Sequence, residues 1–208
     1  MSTIRVAARL NLPGVMPMLA VLNEVLSAEE CAALIDMARP RLTPSTLVDP
    51  MSGRAVVNEG RQSSGMFFRP AENELIARID ERFAAVTGLP TSHGEGLQIL
   101  HYAAGAGSAP HYDWLQPSSE ANRASIARSG QRICTLVAYL NDVPAGGETA
   151  FPELGWNVSA QRGSAVYFQS CDGQGQLYPA SVHHSLPVME GDKWVATKWT
   201  RTAPFVSA

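Results

Sequence analysis

Leu97-Gln-Ile-Leu-His-Tyr-Ala103 is a short apolar segment bounded by turns, and three more of the same kind follow at 133–140, 164–169 and 193–200. Segments of this length between turn-rich connections read as strands. Their spacing suggests an antiparallel sandwich or barrel rather than strand–helix–strand units. Between the first two lies 116–131, a polar stretch without periodicity that reads as a lid or a mobile surface loop. Upstream the texture differs. Residues 18–26 read as a strand entering a helix: Ser27 and Glu30 form a capping box, and Cys31, Leu34, Ile35 and Ala38 continue an apolar face. Residues 40–70 read as short strands and loops. A second helix is expected over 72–87, where Leu75, Ile76, Ile79, Phe83 and Val86 share a face and Gly88 follows as a C-cap. The fold class is therefore α+β, mostly β with flanking α-helices. Residues 1–95 are expected to support a core over 96–208, the two making one compact domain.

The chain has 208 residues, of which 45% are hydrophobic, enough for a sizeable core and unlike a disordered segment. Its net charge of -3 and pI near 5.9 argue against a nucleic-acid partner. The apolar stretch 12–22 is broken by Pro13, Gly14 and Pro17, and no run reaches the roughly 18 apolar residues of a membrane span. Cys31, Cys134 and Cys171 are odd in number and widely spaced, which gives neither a disulfide framework nor a thiolate metal site. A soluble cytoplasmic protein is the simplest expectation. Basic residues are almost all arginine: the two lysines are Lys193 and Lys198.

Chemistry concentrates in few positions. In an extended segment, residues i and i+2 share a face, so His111 and Asp113 can meet one ion. A second histidine returning from a distant strand would complete a two-His, one-carboxylate set with open coordination positions, the arrangement of non-haem Fe(II) oxygenases. His183 and His184 are both candidates, and only one of two neighbours can point inward. His93 and His101 remain, His101 reading better as a packed or surface residue. A keto acid that chelates such a metal leaves a distal carboxylate in an apolar barrel, where it needs a fixed cation. Lys193 lies at an even offset from His183, so a continuous strand would turn both inward and leave Lys198 facing outward, although Pro187 and Gly191 interrupt that stretch.

Three motifs now carry a resemblance. Glu95-Gly-Leu-Gln-Ile-Leu-His-Tyr-Ala-Ala-Gly leading to Pro110-His-Tyr-Asp-Trp114 is similar to the metal-binding region of prolyl 4-hydroxylases. So are Gly146-Gly-Glu-Thr-Ala-Phe-Pro152 and His183-His-Ser-Leu-Pro-Val-Met-Glu-Gly-Asp-Lys193-Trp-Val-Ala-Thr-Lys-Trp199. The likeness extends upstream to Leu26-Ser-Ala-Glu-Glu-Cys31 and Arg61-Gln-Ser-Ser64, covering roughly 18 to 202.

The resemblance implies a double-stranded β-helix, the jelly-roll or cupin-like core, with N-terminal helices packed on it. It implies iron held by His111, Asp113 and His183, the last because it stands four residues before Pro187-Val and ten before Lys193. Lys193 then corresponds to the residue that pairs with the distal carboxylate of 2-oxoglutarate, with Tyr102 and Thr149 adding hydroxyls. Glu95, Arg132, Trp199 and Arg61 match positions near the peptide groove. Beyond the metal ligands no separate catalytic side chain is expected. O2 is the oxidant and ascorbate the reductant, and a homodimer follows by analogy with related bacterial enzymes. Related halogenases have a small residue at the place of Asp113, so the carboxylate here favours hydroxylation.

One departure stands out. Family members often carry a tyrosine three residues before the first iron histidine, and this chain has Ser108. Three readings therefore stand side by side: a hydroxylase of prolyl residues in a peptide or protein, the same chemistry on a free amino acid or other small molecule, and a non-catalytic 2-oxoglutarate- or peptide-binding sensor.

Overall fold

The computed structural model describes residues 4–10, 19–44, 46–48, 55–57 and 63–207. Strands β1 (Arg5–Leu10) and β2 (Leu19–Asn23) lead into helix α1 (Ala28–Ala38). Short strands β3 (Thr43–Pro44), β4 (Thr46–Val48) and β5 (Ala55–Val57) precede β6 (Ser64–Phe68) and helix α2 (Glu74–Thr87). Next come β7 (Leu97–Tyr102), helix α3 (Glu120–Ser129) and β8 (Arg132–Tyr139). The remainder is strand: β9 (Ala145–Gly146), β10 (Thr149–Phe151), β11 (Trp156–Val158), β12 (Ala165–Gln169), β13 (His184–Ser185), β14 (Val188–Glu190) and β15 (Lys193–Arg201).

Eight strands form the major sheet in the order β1-β2-β12-β8-β15-β7-β6-β3, and every pairing in it is antiparallel. A smaller sheet, β11-β10-β13, and the pair β14-β9 pack against one face, giving the double-stranded β-helix expected from the motifs. Two apolar clusters mark the layers. Leu100, Val137, Val195, Phe151, Phe168 and Val188 fill the space between major and minor sheets. On the other face, Leu97, Ile99, Leu136, Ala138, Trp194 and Ala196 meet the apolar stripes of α1 and α2.

Those two helices begin where local chemistry starts them. Ser27 caps α1 in a reciprocal box with Glu30, and Cys31, Leu34 and Ala38 are its buried residues. Asn73 accepts from the Ile76 N–H, so α2 starts at Glu74, two residues later than the apolar spacing predicts. Gly88 closes it at φ +70°, the left-handed region that glycine enters without a Cβ clash.

Two expectations are corrected. The stretch 116–131 is not structureless, because α3 occupies 120–129, capped by Ser119. Only Ser129 is buried in this helix, so it shows no apolar periodicity, and polar ties rather than a greasy face hold it. Lys198 does face away from the cavity, but not into solvent. The helix layer covers that side of the sheet, and the ammonium is buried against Asp80 of α2 at 2.7 Å. The stretch from His183 to Lys193 is interrupted, as Pro187 and Gly191 suggest, and divides into β13, β14 and the start of β15.

Candidate active site

An isolated bridge between two loop segments brings the centre together. The backbones of His111 and His183 pair as an antiparallel bridge, each N–H donating to the other's carbonyl at 2.9 and 3.0 Å. Asp113 follows two residues on, and one ligand atom from each of the three side chains lies within 4.8 Å of the others. His111 Nδ1–H donates to the Ala109 carbonyl at 2.9 Å, and His183 Nδ1–H to that of Ser181 at 3.0 Å. Each bond leaves the Nε2 lone pair free to face the centre. Asp113 Oδ2 accepts from Thr135 Oγ1 at 2.7 Å, which orients the carboxylate.

The charge states suit a cation. Burial pushes His183 down to about 4, so it is a neutral imidazole at pH 7. Burial alone would raise Asp113, but the His183 and His111 rings, the Arg132 guanidinium and the Thr135 hydroxyl outweigh it and hold it near 2. Two imidazoles and one carboxylate brought this close together make a fitting donor set for Fe(II) with positions to spare. Asp113 and His183 are buried while His111 is partly exposed, so the open side faces the cavity.

That cavity holds about 720 Å³. Its closed end is Lys193, 2% exposed on the first residue of β15, whose Nζ donates to Ser185 Oγ at 2.8 Å. Nζ also lies 5.5 Å from the Tyr102 ring and 5.7 Å from that of Tyr139. Tyr139 OH donates to Thr149 Oγ1 at 2.8 Å, placing Thr149 in the same corner. Loss of hydration is the main influence on the ammonium and brings Lys193 from 10.5 down to about 7. A burial this complete suits a group that receives an anion.

At the open end the Arg132 guanidinium lies over the Trp199 ring, its Cζ 3.9 Å from the centroid. Glu95 fixes it with two bonds, Arg132 Nε to Oε1 at 2.7 Å and Nη2 to Oε2 at 2.8 Å. Three of the four substrate-side residues read from the sequence thus converge, and the fourth, Arg61, lies outside the described residues. Ser108 lines the cavity and accepts from the Ser185 N–H at 2.9 Å. His184 lies beside His183 in β13 and does not join the three-residue set. His101 is on the opposite face, stacked on Trp194 at 4.4 Å and 3.0 Å from Asp192. His93 binds the Arg201 carbonyl, away from the centre.

Several site residues escaped the sequence reading: Thr135, Tyr139, Ser185 and Gln98. Strand alternation carries the signal for two of them. Once Tyr102 and Trp199 are placed inward, Gln98 and Leu100 follow on β7, and Thr135, the partner of Trp199 in register, follows on β8. Gln98 Oε1 is buried in the cavity wall without a hydrogen-bond partner among the described residues.

A jelly roll whose inner face carries two histidines and a carboxylate at one open-sided centre, with a buried cation beyond it, defines a class: non-haem iron oxygenases of the double-stranded β-helix fold. Residues 97–201 match the family model of the 2OG-Fe(II) oxygenase superfamily. The chain is 38% identical over 200 residues to prolyl 4-hydroxylase 1 of Arabidopsis thaliana, covering 89% of this chain and 69% of the relative. Prolyl 4-hydroxylase 5 of the same plant is 35% identical over 208 residues, covering 91% and 70%. Among solved structures, the 2OG complex of viral collagen prolyl hydroxylase from Paramecium Bursaria Chlorella virus-1 superposes with a TM-score of 0.69 at 27% identity, over 88% of this chain and 94% of that one. The chain belongs to the 2OG-Fe(II) oxygenase superfamily and, within it, to the prolyl 4-hydroxylase family. It is an Fe(II)- and 2-oxoglutarate-dependent oxygenase.

Proposed function

We propose that the protein hydroxylates a prolyl residue within a peptide, with His111, Asp113 and His183 holding iron and Lys193 anchoring 2-oxoglutarate. One observation carries this reading: a single cavity holds, from floor to mouth, a buried cation, a metal-binding triad and a guanidinium stacked on an aromatic ring. The names of the relatives support the peptide substrate.

Iron and 2-oxoglutarate, when bound, supply the oxidising power: one atom of O2 enters succinate as CO2 leaves, and the other enters a substrate C–H bond. Everything else falls to the chain. Lys193 neutralises the distal carboxylate, and Tyr102 and Thr149, which line the same cavity, would add hydroxyl donors. The apolar belt of Leu100, Val137 and Val195 keeps water from the reacting groups. Arg132, held by Glu95, has its Nη1 engaged only at 3.5 Å, by the Asp113 carbonyl. It is the donor that a peptide carbonyl would take, while Trp199 and the half-exposed Phe67 flank the chain. Ascorbate is the reductant this reading adds.

Ser108 favours a second reading, the same chemistry on a free amino acid or other small molecule, since in the cavity wall its side chain is far smaller than a tyrosine. Succinate release separates the two. Fe(II)-dependent turnover should rise with proline-rich peptides and not with free proline, and should vanish in His183→Ala. Stimulation by free proline alone sinks the peptide reading, and no turnover under any condition sinks both.

A further inference from the structure

Arg201, the last residue of β15, is the largest fully buried side chain among the described residues, at 2% exposure. A guanidinium is buried only where acceptors surround it, and the acceptors here come from two separate parts of the molecule. Nη1 donates to the Gly130 carbonyl at 2.7 Å, and Nη2 to the Ser125 hydroxyl and, at 3.5 Å, the Ser125 carbonyl. Those oxygens belong to α3 and its C-cap. On its other side, Nε lies 3.0 Å from Glu95 Oε1, off the line of a hydrogen bond, so this contact is an ion pair.

Glu95 is the carboxylate that fixes Arg132 over Trp199. It therefore stands between two guanidiniums, one facing the cavity and one facing α3. A register shift in the β15–β8 ladder sets this up: Thr200 pairs with Cys134, but Arg201 pairs with Arg132, so both arginines reach one carboxylate. The other ties to α3 are polar: Asn122 and Arg123 donate to carbonyls of the preceding loop, and the Ser129 carbonyl accepts from the Ala203 N–H. The one buried residue of α3 is Ser129, whose hydroxyl accepts from the Val206 N–H. Asn122, on the same helix, lines the cavity mouth.

We infer that Arg201 is a positioning residue that sets the seat of α3 and the aim of Arg132 together, by holding both through one buried guanidinium. It touches no substrate and no metal ligand. Its effect on a bound peptide runs through Glu95 on one side and through the helix that walls the mouth on the other. The fit of α3 and the angle of Arg132 are then one variable. A disturbance at either end is felt at the other, as coupling between two sites must be.

This inference rests on the peptide reading for its kinetic arm only. In the full iron-loaded chain, Arg201→Gln should speed amide exchange across 120–129 by about tenfold or more while the centres of β7, β8 and β15 stay protected. The KM for a proline-rich peptide should rise about tenfold, with the KM for 2-oxoglutarate within twofold of wild type. Ser125→Ala, which leaves the sheet untouched, should move the same two readouts in the same direction and by less, and it decides alone if Arg201→Gln does not fold. Faster α3 exchange with an unchanged peptide KM overturns the coupling. So does unchanged exchange, or exchange that rises equally throughout the sheet. If no peptide stimulates the wild type, the substrate reading fails and exchange still decides: Glu95→Gln must loosen α3 through Arg201, and an unmoved helix refutes the inference.

Discussion

Replacing Lys193 with methionine separates what the buried ammonium does for the fold from what it does for the co-substrate. Its titration lies near 7 instead of 10.5 because the pocket strips its water, a loss that the charge of Glu148 and a hydrogen bond to Ser185 Oγ offset only in part. At about 1.4 kcal/mol per pH unit, that difference amounts to about 5 kcal/mol against the charged form. Because the folded value lies below the unfolded one, unfolding takes up a proton between pH 7 and 10.5. Stability of the co-substrate-free protein should therefore rise with pH through that window and be lowest below 7, where the native state carries the buried charge. Lys193→Met removes that slope and should unfold in urea at a higher midpoint than wild type at pH 6. The opposite holds for binding. A carboxylate brought beside Lys193 restores the charged form, so 2-oxoglutarate binding at pH 8 should take up about one proton. Without the lysine the carboxylate is unpaired in a dry corner, a loss of about 3–5 kcal/mol, or roughly 150- to 5,000-fold in affinity. Calorimetry with Mn(II) in place of iron, in two buffers of different ionisation enthalpy, reads both quantities. Unchanged affinity in Lys193→Met, or heats independent of buffer in the wild type, would refute this account of Lys193.

Three further outcomes follow from the geometry. Metal at about a hundred times its Kd should stabilise the wild type by about 2.7 kcal/mol, and thermal melts of His183→Ala should show no such shift; an equal shift would place the metal elsewhere. Lys198→Ala leaves Asp80 buried and unpaired and should cost about 3–5 kcal/mol in urea unfolding, whereas Lys198→Met with Asp80→Leu should be nearly neutral; a mild single mutant would mean the pair is wetter than its 4% and 1% side-chain exposure indicate. Gly146→Ala should destabilise by about 2 kcal/mol or more in the same assay, because Gly146 has φ +73° and a Cβ would stand 2.3 Å from the Pro187 carbonyl oxygen; a wild-type midpoint would contradict the tight β9–β14 approach.

The parts legible from sequence were those written in short-range patterns. The Ser27–Glu30 box, the stripe on α2 and the four apolar segments each needed only neighbours to be read. His111 and Asp113 were likewise a local pair. The choice of His183 over His184 came from the family resemblance, and the structure gives its physical reason: His183 makes the backbone bridge to His111, while His184 begins β13. What could not be read depended on what lies behind an element. Lys198 was assigned to the outside because strand alternation reports two faces, not what covers each, and here α2 covers the second. α3 showed no period because polar ties hold it in place of an apolar face. Arg201 was passed over for a related reason: nothing local announces a cation whose partners are 71 and 76 residues away.

β15 is buried along all nine of its residues. Lys193, Val195, Thr197 and Trp199 line the cavity, while Trp194, Ala196 and Lys198 face the helices. Such a strand has no neutral side on which substitutions can accumulate, and a one-residue insertion would exchange its two sets of duties at once. Diversification of this enzyme towards other substrates is therefore confined to the rim, to Ser108, Tyr112, Phe67 and α3, where a side chain can change without rewriting the far side of the sheet. The catalytic floor and the structural core share one text, and selection on either edits both.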